Sequence, residues 1–574
     1  MNLKLMCKKI FATAAIVTAS LQSHAQTLAT DYKGTSNANP ISAAVFCADP
    51  TAIDYNGRLY VYGTNDHQQY IVNKKTGSNG YGNIKSLVVF STDDMVNWTF
   101  HGTIDVGKVC GNWCGNSWAP SAVWRTTAAG KDEFFVYFAN GGGSVGVIKS
   151  TKAPIGPFTS PNSQPMIRHG MAGVDPCNWL FDPGAVIDST GQGWIGFGGG
   201  DPQSSGSKLW PGNSRIAKLS SSMTSISGSA KNMPAPYLFE ASELNIIGGR
   251  FVYTYNTSWS DRNDWSKFEK RNGQPAPSSC SMCYMVSDNP LDPNSWEYRG
   301  EYVPNEGNFG MGWGNNHTHL HKFQGKYYLF YHSTVLESAM KDGKAMDGGA
   351  SGYRSIGVNV ATVNESKQTI NKMTLNKTGV TAIKNLDPYQ LQEAETMATC
   401  GGFTYEDFSN ITKNTGISSL GNDASRALQL KLKAGAWTQL RKVDFGTEGA
   451  GSFMLRAKGT GTVEIRLGTK TAKPAASLDF TSTAYQDFNI PVDPAVFKGV
   501  KTVFLVCTAA TTAYIDAWQF SRETPDAVTA PTAPAVTLPD RSYRLDGSPV
   551  NNATQRRGLI IEHRDGQSRK RIVR

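Results

Sequence analysis

Five segments of the chain follow one plan. They are DPTAIDYNGRLYVYGTND from Asp49, WAPSAVWRTTAAGKDEFFVYFAN from Trp118, DPGAVIDSTGQGWIGFGGG from Asp182, EASELNIIGGRFVYTYN from Glu240 and HTHLHKFQGKYYLFYHS from His317. In each, a polar or aromatic residue opens a short β-prone run, a turn containing Gly follows, and an aromatic strand closes the unit. That is the pattern of a β-hairpin. The openers lie 69, 64, 58 and 77 residues apart. Such spacing suits the blades of a propeller, each a four-stranded sheet around a central channel. The expected fold is therefore all-β, with five blades. The innermost strand of each blade lies at the hub, so equivalent openers bring Asp49, Trp118, Asp182, Glu240 and His317 to one funnel.

Stability alone explains a repeated apolar pattern, but not three carboxylates at equivalent hub positions. Unpaired, they repel one another. Carboxyls held together have raised and split pKa values, so one stays protonated near neutral pH while another stays ionised. Glycoside hydrolysis needs that combination: an acid for the leaving oxygen and a base for water. A calcium site is the rival reading, since carboxylates also bind hard cations.

The motifs CADPTAIDYNGRLYVYG, SWAPSAVW, LFDPGAVID, FEASELNIIGGRFVYTY and NNHTHLHKFQGKYYLFYH, in this order, resemble glycoside hydrolase family 43. The likeness runs over residues 39–386. It implies a five-bladed β-propeller that cleaves arabinose- or xylose-containing plant polysaccharide with inversion. It implies Asp49 as general base, Glu240 as general acid and Asp182 as the carboxylate that raises and orients the acid. It places Trp118 in the W-A-P motif, His317 at the hub beside a cation or its water shell, and Arg354 near the sugar subsite. Trp313, in WGNN, reads as a sugar-stacking edge. No cofactor is expected for the chemistry. The chain has E-A-S where the family often has E-A-P or E-G-P.

Other residues in these hairpins have plainer readings. Asp54 and Asp188 are expected to cap turns. Glu243, three residues from Glu240, is expected on the opposite strand face, because three is an odd step. His319 and His321 share the face of His317 by period two. Asp175 and Trp179 read as loop residues.

After Asn385 the texture changes. Residues 387–522 have the length of one β-sandwich. Their motifs Q-E-A-E, WTQLRKVDFG and YIDAWQF resemble carbohydrate-binding module family 6. The resemblance implies a jelly-roll-like sandwich with a structural Ca²⁺ held by Glu393, Glu395 and Asp516. It implies a sugar cleft with Trp437 and, more weakly, Tyr485. Tyr514 stands where the family often has a sugar-binding Asn, which puts that cleft in doubt.

The net charge of +10 first suggests nucleic acid. Its distribution excludes that: Lys4, Lys8 and Lys9 make residues 1–25 +3, nine basic against three acidic residues make 541–574 +6, and +1 remains between them. A nearly neutral body has no basic stripe. Residues 1–25 read as a bacterial secretory signal, with a basic start, an apolar run too short to span a bilayer, and cleavage after Ala25. Residues 523–540 read as a Pro/Ala/Thr linker. The basic end, 541–574, resembles the sorting segments of type IX export. The expected protein is thus secreted or on the cell surface, without a membrane span, and monomeric. Local disulfides, Cys110–Cys114 and Cys280–Cys283, are the leading reading of the close cysteine pairs in an exported chain, and Cys400 and Cys507 are candidates to pair across the second domain. The expected activity is that of an α-L-arabinofuranosidase on arabinoxylan. A β-xylosidase and a non-catalytic sugar-binding propeller are the alternatives.

Overall fold

The computed structural model describes residues 27–34, 39–202, 206–410 and 428–523, with the strand backbones of 541–544, 558–564 and 567–573. The expected signal segment, residues 1–25, and nearly all of the expected linker, residues 523–540, lie outside the described residues.

Four sheets of four strands and one of three form the ring. Blade one is Ala48–Tyr55, Arg58–Thr64, Leu87–Thr92 and Trp98–Ile104; blade two runs from Trp118–Thr126 to Ile167–Arg168. Blade three runs from Gly184–Ile187 to Ile226–Asn232, and blade four from Leu238–Ile247 to Glu297–Val303. Blade five is Thr318–Phe323, Lys326–Ser333 and Ser355–Ala361. Three of the five predicted hairpins turn on two residues with positive φ: Asn56-Gly57, Gly248-Gly249 and Gln324-Gly325. These turns match the strand twist, and Gly supplies the left-handed conformation without a steric cost.

The chain's own start supplies the missing edge of blade five. The Ile41 N–H donates to the Ile356 carbonyl (2.8 Å) and the Cys47 N–H to the Arg354 carbonyl (2.9 Å). The Asn39 amide imitates a peptide, accepting from the Val358 N–H (2.8 Å) and donating to the Val358 carbonyl (3.0 Å). The ring is closed by residues from both its ends. Buried apolar clusters lie between adjacent blades.

The second domain is a curled antiparallel sheet with long strands Ser452–Leu467, Ala476–Pro491 and Val500–Ser521. It is welded to the ring. Its strand Thr396–Met397 pairs with Trp98 and Thr99, becoming a fifth strand of blade one. One apolar core runs through both, from Val61, Phe90 and Trp98 to Leu440, Leu455 and Trp518. Residues 27–522 belong to a single compact unit. The second unit holds Arg541–Arg544, Gly558–Arg564 and Gln567–Val573, paired as an antiparallel meander.

The cysteine expectation is not met. All eight cysteines among the described residues are buried free thiols. Cys280 donates to the Gly314 carbonyl and Cys283 accepts from the Tyr298 hydroxyl, so these two thiols serve different neighbours.

Candidate active site

The innermost strands share an irregularity that builds the site. Their pairing slips between Ala48 and Thr51, between Trp118 and Ser121, and between Glu240 and Glu243. At each slip, and at the matching place in blade three, a residue other than Gly sits at positive φ: Asp49 (49°), Ala119 (42°), Ala241 (59°) and Asp182 (47°). Such conformations cost on the order of 1–3 kcal/mol each and persist where a site requires them. The equivalent residues are therefore Asp49, Ala119, Asp182 and Ala241. Trp118 and Glu240 stand one residue earlier than simple repetition suggests.

The bulge also corrects the expectation for Glu243. It resets the two-residue alternation, so Glu243 points into the hub one level below Glu240, fully buried, with Oε1 2.9 Å from Nδ1 of His319. Thr51 and Ser121 occupy the same level and lace the blades, accepting from the Ala122 N–H (3.2 Å) and the Ala185 N–H (2.9 Å). Further down, His321 stacks on His319 and meets Asp54 at 3.2 Å, so Asp54 is not a turn cap. Asp188 does cap its turn, accepting from Thr190 and Gln192.

Asp49 is 5% exposed. Arg354 Nη1 donates to its Oδ1 at 2.8 Å, its own N–H donates to His332 Nδ1 at 3.1 Å, and His317 Nδ1 lies 3.8 Å from Oδ1. Burial alone pushes the Asp49 carboxyl up, but the Arg354 guanidinium outweighs it and holds the group far below the usual carboxylate range. Asp49 is thus an ionised base. Burial lowers His317 to about 4 against the pull of Asp49, leaving a neutral imidazole.

Arg354, expected near the sugar subsite, stands against the base Asp49. It is 4% exposed, and its Nε and Nη2 donate to the two oxygens of Asp66 at 2.9 Å each. Tyr81 lies under the guanidinium, 5.0 Å away. Asp66 is fully buried in the first turn of helix Asp66–Val72. Arg354 is therefore a strut between Asp66 and the base. Asp66, His332 and Tyr81 escape the sequence reading because none lies at a repeated hub position.

Asp182, 5% exposed, is pushed up to about 7 by burial and by the charge of Asp49, against the Ala241 N–H that donates to it at 2.7 Å and against Arg354. Glu240 is half-buried, and no hydrogen bond reaches its carboxyl among the described residues. Burial first, then Asp182 and Asp49, push it well above the ordinary value, against Arg354. Two carboxyls with opposed shifts share one funnel: one ionised, one protonated. Trp118 lines the same mouth, its indole N–H donating to the Tyr81 carbonyl at 3.2 Å. Trp313 is 64% exposed. A further buried carboxyl, Glu306 (2% exposed), is also pushed up, by burial and, against Arg354, by the charge of Glu240.

In the second domain, Glu395 and Asp516 are both buried, at 2% and 1% exposure. Glu395 is pushed well up by burial and by Asp516, and its Oε1 has no hydrogen-bond partner among the described residues. Asp516 Oδ2 also meets Arg456 Nε at 3.3 Å, and the two carboxyls together offer the oxygen donors a hard cation takes. Glu393 is only partly buried, and no three His, Cys, Asp or Glu side chains converge on a metal site among the described residues. Trp437 is not an open platform. It is fully buried, its indole N–H donates to the Ala29 carbonyl (2.9 Å), and Leu28 packs against its cluster. Tyr485 is partly exposed, donates to Gln429 Oε1 (2.5 Å) and carries Lys458 over its ring.

Comparison with known proteins agrees with this geometry. Residues 37–349 match Glycosyl hydrolases family 43, and residues 393–522 match Carbohydrate binding module (family 6). The chain is 34% identical to an arabinoxylan arabinofuranohydrolase of Paenibacillus polymyxa, over 85% of this chain and 75% of that protein. It is also 34% identical to the arabinoxylan arabinofuranohydrolase of Bacillus subtilis, over 87% of this chain and 95% of that protein. The crystal structure of a Bacillus subtilis family 43 arabinoxylan arabinofuranohydrolase in complex with cellotetraose superposes with a TM-score of 0.76 at 33% identity, covering 86% of this chain and 99% of that one.

Proposed function

The chain belongs to glycosyl hydrolases family 43, and on that premise we propose that it is an exported, inverting α-L-arabinofuranosidase acting on arabinoxylan. The observation that carries this reading is the split carboxyl set, Asp49 ionised and Glu240 protonated in one funnel, in a chain whose relatives over most of its length are arabinoxylan arabinofuranohydrolases. Asp49 takes a proton from water on one side of the sugar, while Glu240 gives one to the glycosidic oxygen on the other. Burial, and after it the charge of Asp182, keeps Glu240 protonated. Arg354 and Asp66 hold the base in place.

Export rests on the N-terminal signal pattern. No helix among the described residues is long and apolar enough to cross a membrane. The activity test is a panel of nitrophenyl α-L-arabinofuranoside, nitrophenyl β-D-xyloside, arabinoxylan and linear arabinan. Release of arabinose from arabinoxylan supports the reading. Preferential cleavage of the xyloside makes the protein a β-xylosidase, and binding without release makes it a lectin.

The second domain binds calcium through Glu395 and Asp516 in this proposal, because Glu395 is buried with an unmatched Oε1 and is pushed up by burial and then by Asp516, whose Oδ2 also meets Arg456 Nε at 3.3 Å. Chelation should lower the melting temperature and added calcium should restore it. A melting curve indifferent to both would remove the ion.

A further inference from the structure

Only three aromatic side chains among the described residues are strongly exposed: Trp210, Trp259 and Trp313. Two of them meet. The rings of Trp259 and Trp313 lie 6.4 Å apart at an interplanar angle of 54°, and the residues are 50% and 64% exposed.

Topology sets both on the face that carries the carboxylates. Each inner strand starts at that face and runs away from it, and the second strand returns. Loops that follow a second strand, or that lead into the next inner strand, therefore emerge beside the site. Trp259 follows Arg250–Thr257, the second strand of blade four. Trp313 lies between the last strand of blade four and Thr318–Phe323, the first of blade five. Both thus flank the blade that bears Glu240.

These rings are held, not stray. Asn305 is fully buried and donates to the Gly314 carbonyl (2.8 Å) and to the Cys280 carbonyl (3.3 Å), while the Cys280 thiol donates to the Gly314 carbonyl (3.4 Å). That network ties the Trp313 loop to the Trp259 loop. Gly307 lies behind Trp313, where a Cβ would fall 2.2 Å from the ring. One ring face rests on backbone and leaves the other to solvent. Beside Trp259 opens a cavity of about 270 Å³ lined by Asp201, Lys208, Phe239 and Ser258.

We propose that Trp259 and Trp313 form a two-ring clamp for the backbone of the polysaccharide, outside the funnel that takes the cleaved sugar. The occupant follows from the angle. Two rings tilted by 54° cannot both stack on one flat sugar ring. They fit successive sugars rotated relative to each other, as in a twisted pentose chain. Each stacked ring presents its face to sugar C–H groups and excludes water from them. The inference deepens the proposed function and rests on it.

The test compares the full-length protein with Trp259→Ala, Trp259→Phe and Trp313→Ala. The readout is kcat/KM on arabinoxylan divided by kcat/KM on nitrophenyl α-L-arabinofuranoside. The clamp predicts that this ratio falls about tenfold in Trp259→Ala, mainly through KM, and returns most of the way in Trp259→Phe. A ratio equal to wild type in both alanine variants overturns it, as does equal loss in the alanine and phenylalanine variants. Xylohexaose titration in the Glu240→Gln background separates the two readings. Wild-type protein that cleaves neither substrate defeats the proposed function. The clamp then stands if Trp259→Ala weakens xylohexaose binding and falls if it does not. A dimer lost on Trp259→Ala makes the patch a contact between copies and also overturns the clamp.

Discussion

At the residue scale, chemistry is divided among carboxyls by what surrounds each one. Arg354 reaches Asp49 at 2.8 Å, whereas no donor reaches Glu240 among the described residues. Asp49→Asn and Glu240→Gln should each cut turnover by a factor on the order of 10²–10⁴ while thermal melting stays close to wild type. Retention of more than a tenth of the rate in either would break the assignment. Asp182→Asn should act through pH. The charge of Asp182 raises Glu240, so its removal lets Glu240 lose its proton sooner and moves the alkaline limb of the rate profile to lower pH. An alkaline limb that stays put or rises would exclude this coupling. Asp66→Ala leaves the buried guanidinium with Asp49 alone, so stability should fall by about 3–5 kcal/mol, measured by denaturant unfolding, and activity should fall with it.

What could be read at this scale was what the repeat displays. Asp49, Asp182 and Glu240 open hairpins of one pattern and stand out. Asp66, in a short helix, acts on Arg354 from 288 positions away, and His332 acts on Asp49 from 283. No local pattern reports such pairs. Arg354 was found by its motif, but its partners were not.

At the element scale, hairpins and their turns followed from sequence because two-residue turns demand positive φ and announce themselves as Asn-Gly, Gly-Gly or Gln-Gly. The bulge was not legible. Counting by twos sent Glu243 to the wrong face, and one inserted residue at Ala241 brought it back into the hub. The tightness of that hub gives a prediction. A Cβ at Gly184 would lie 2.4 Å from the Glu243 Cα. Gly184→Ala should therefore destabilise by about 1–3 kcal/mol in unfolding experiments and loosen the blade that follows Asp182. A neutral outcome would show that the inner strands are not packed at contact distance.

At the scale of the whole molecule, two domains that match different families share one core and one sheet. The boundary near Asn385 was visible as a change in texture, but the weld was not, because Thr396–Met397 carry no signal that they extend blade one. Nor did the sequence show that residues 27–33 lie against the second domain. There Ala29 covers Trp437, and the Lys33 ammonium donates to the Ala398 carbonyl at 2.5 Å. Truncation after residue 386 should strip the outer edge of blade one and expose Phe90, Trp98 and Phe100. The product is expected to aggregate or to melt well below the full chain, by light scattering and calorimetry. A truncated propeller as stable as the parent would contradict the shared core.

In the proposed mechanism Asp49 and Glu240 act from opposite sides of one sugar. Proton NMR of an arabinoxylan digest, followed from the first minute, tests it most directly. Inversion gives free arabinose that appears first as the β-furanose and then equilibrates. Release first as the α-anomer, or no arabinose at all, would contradict it.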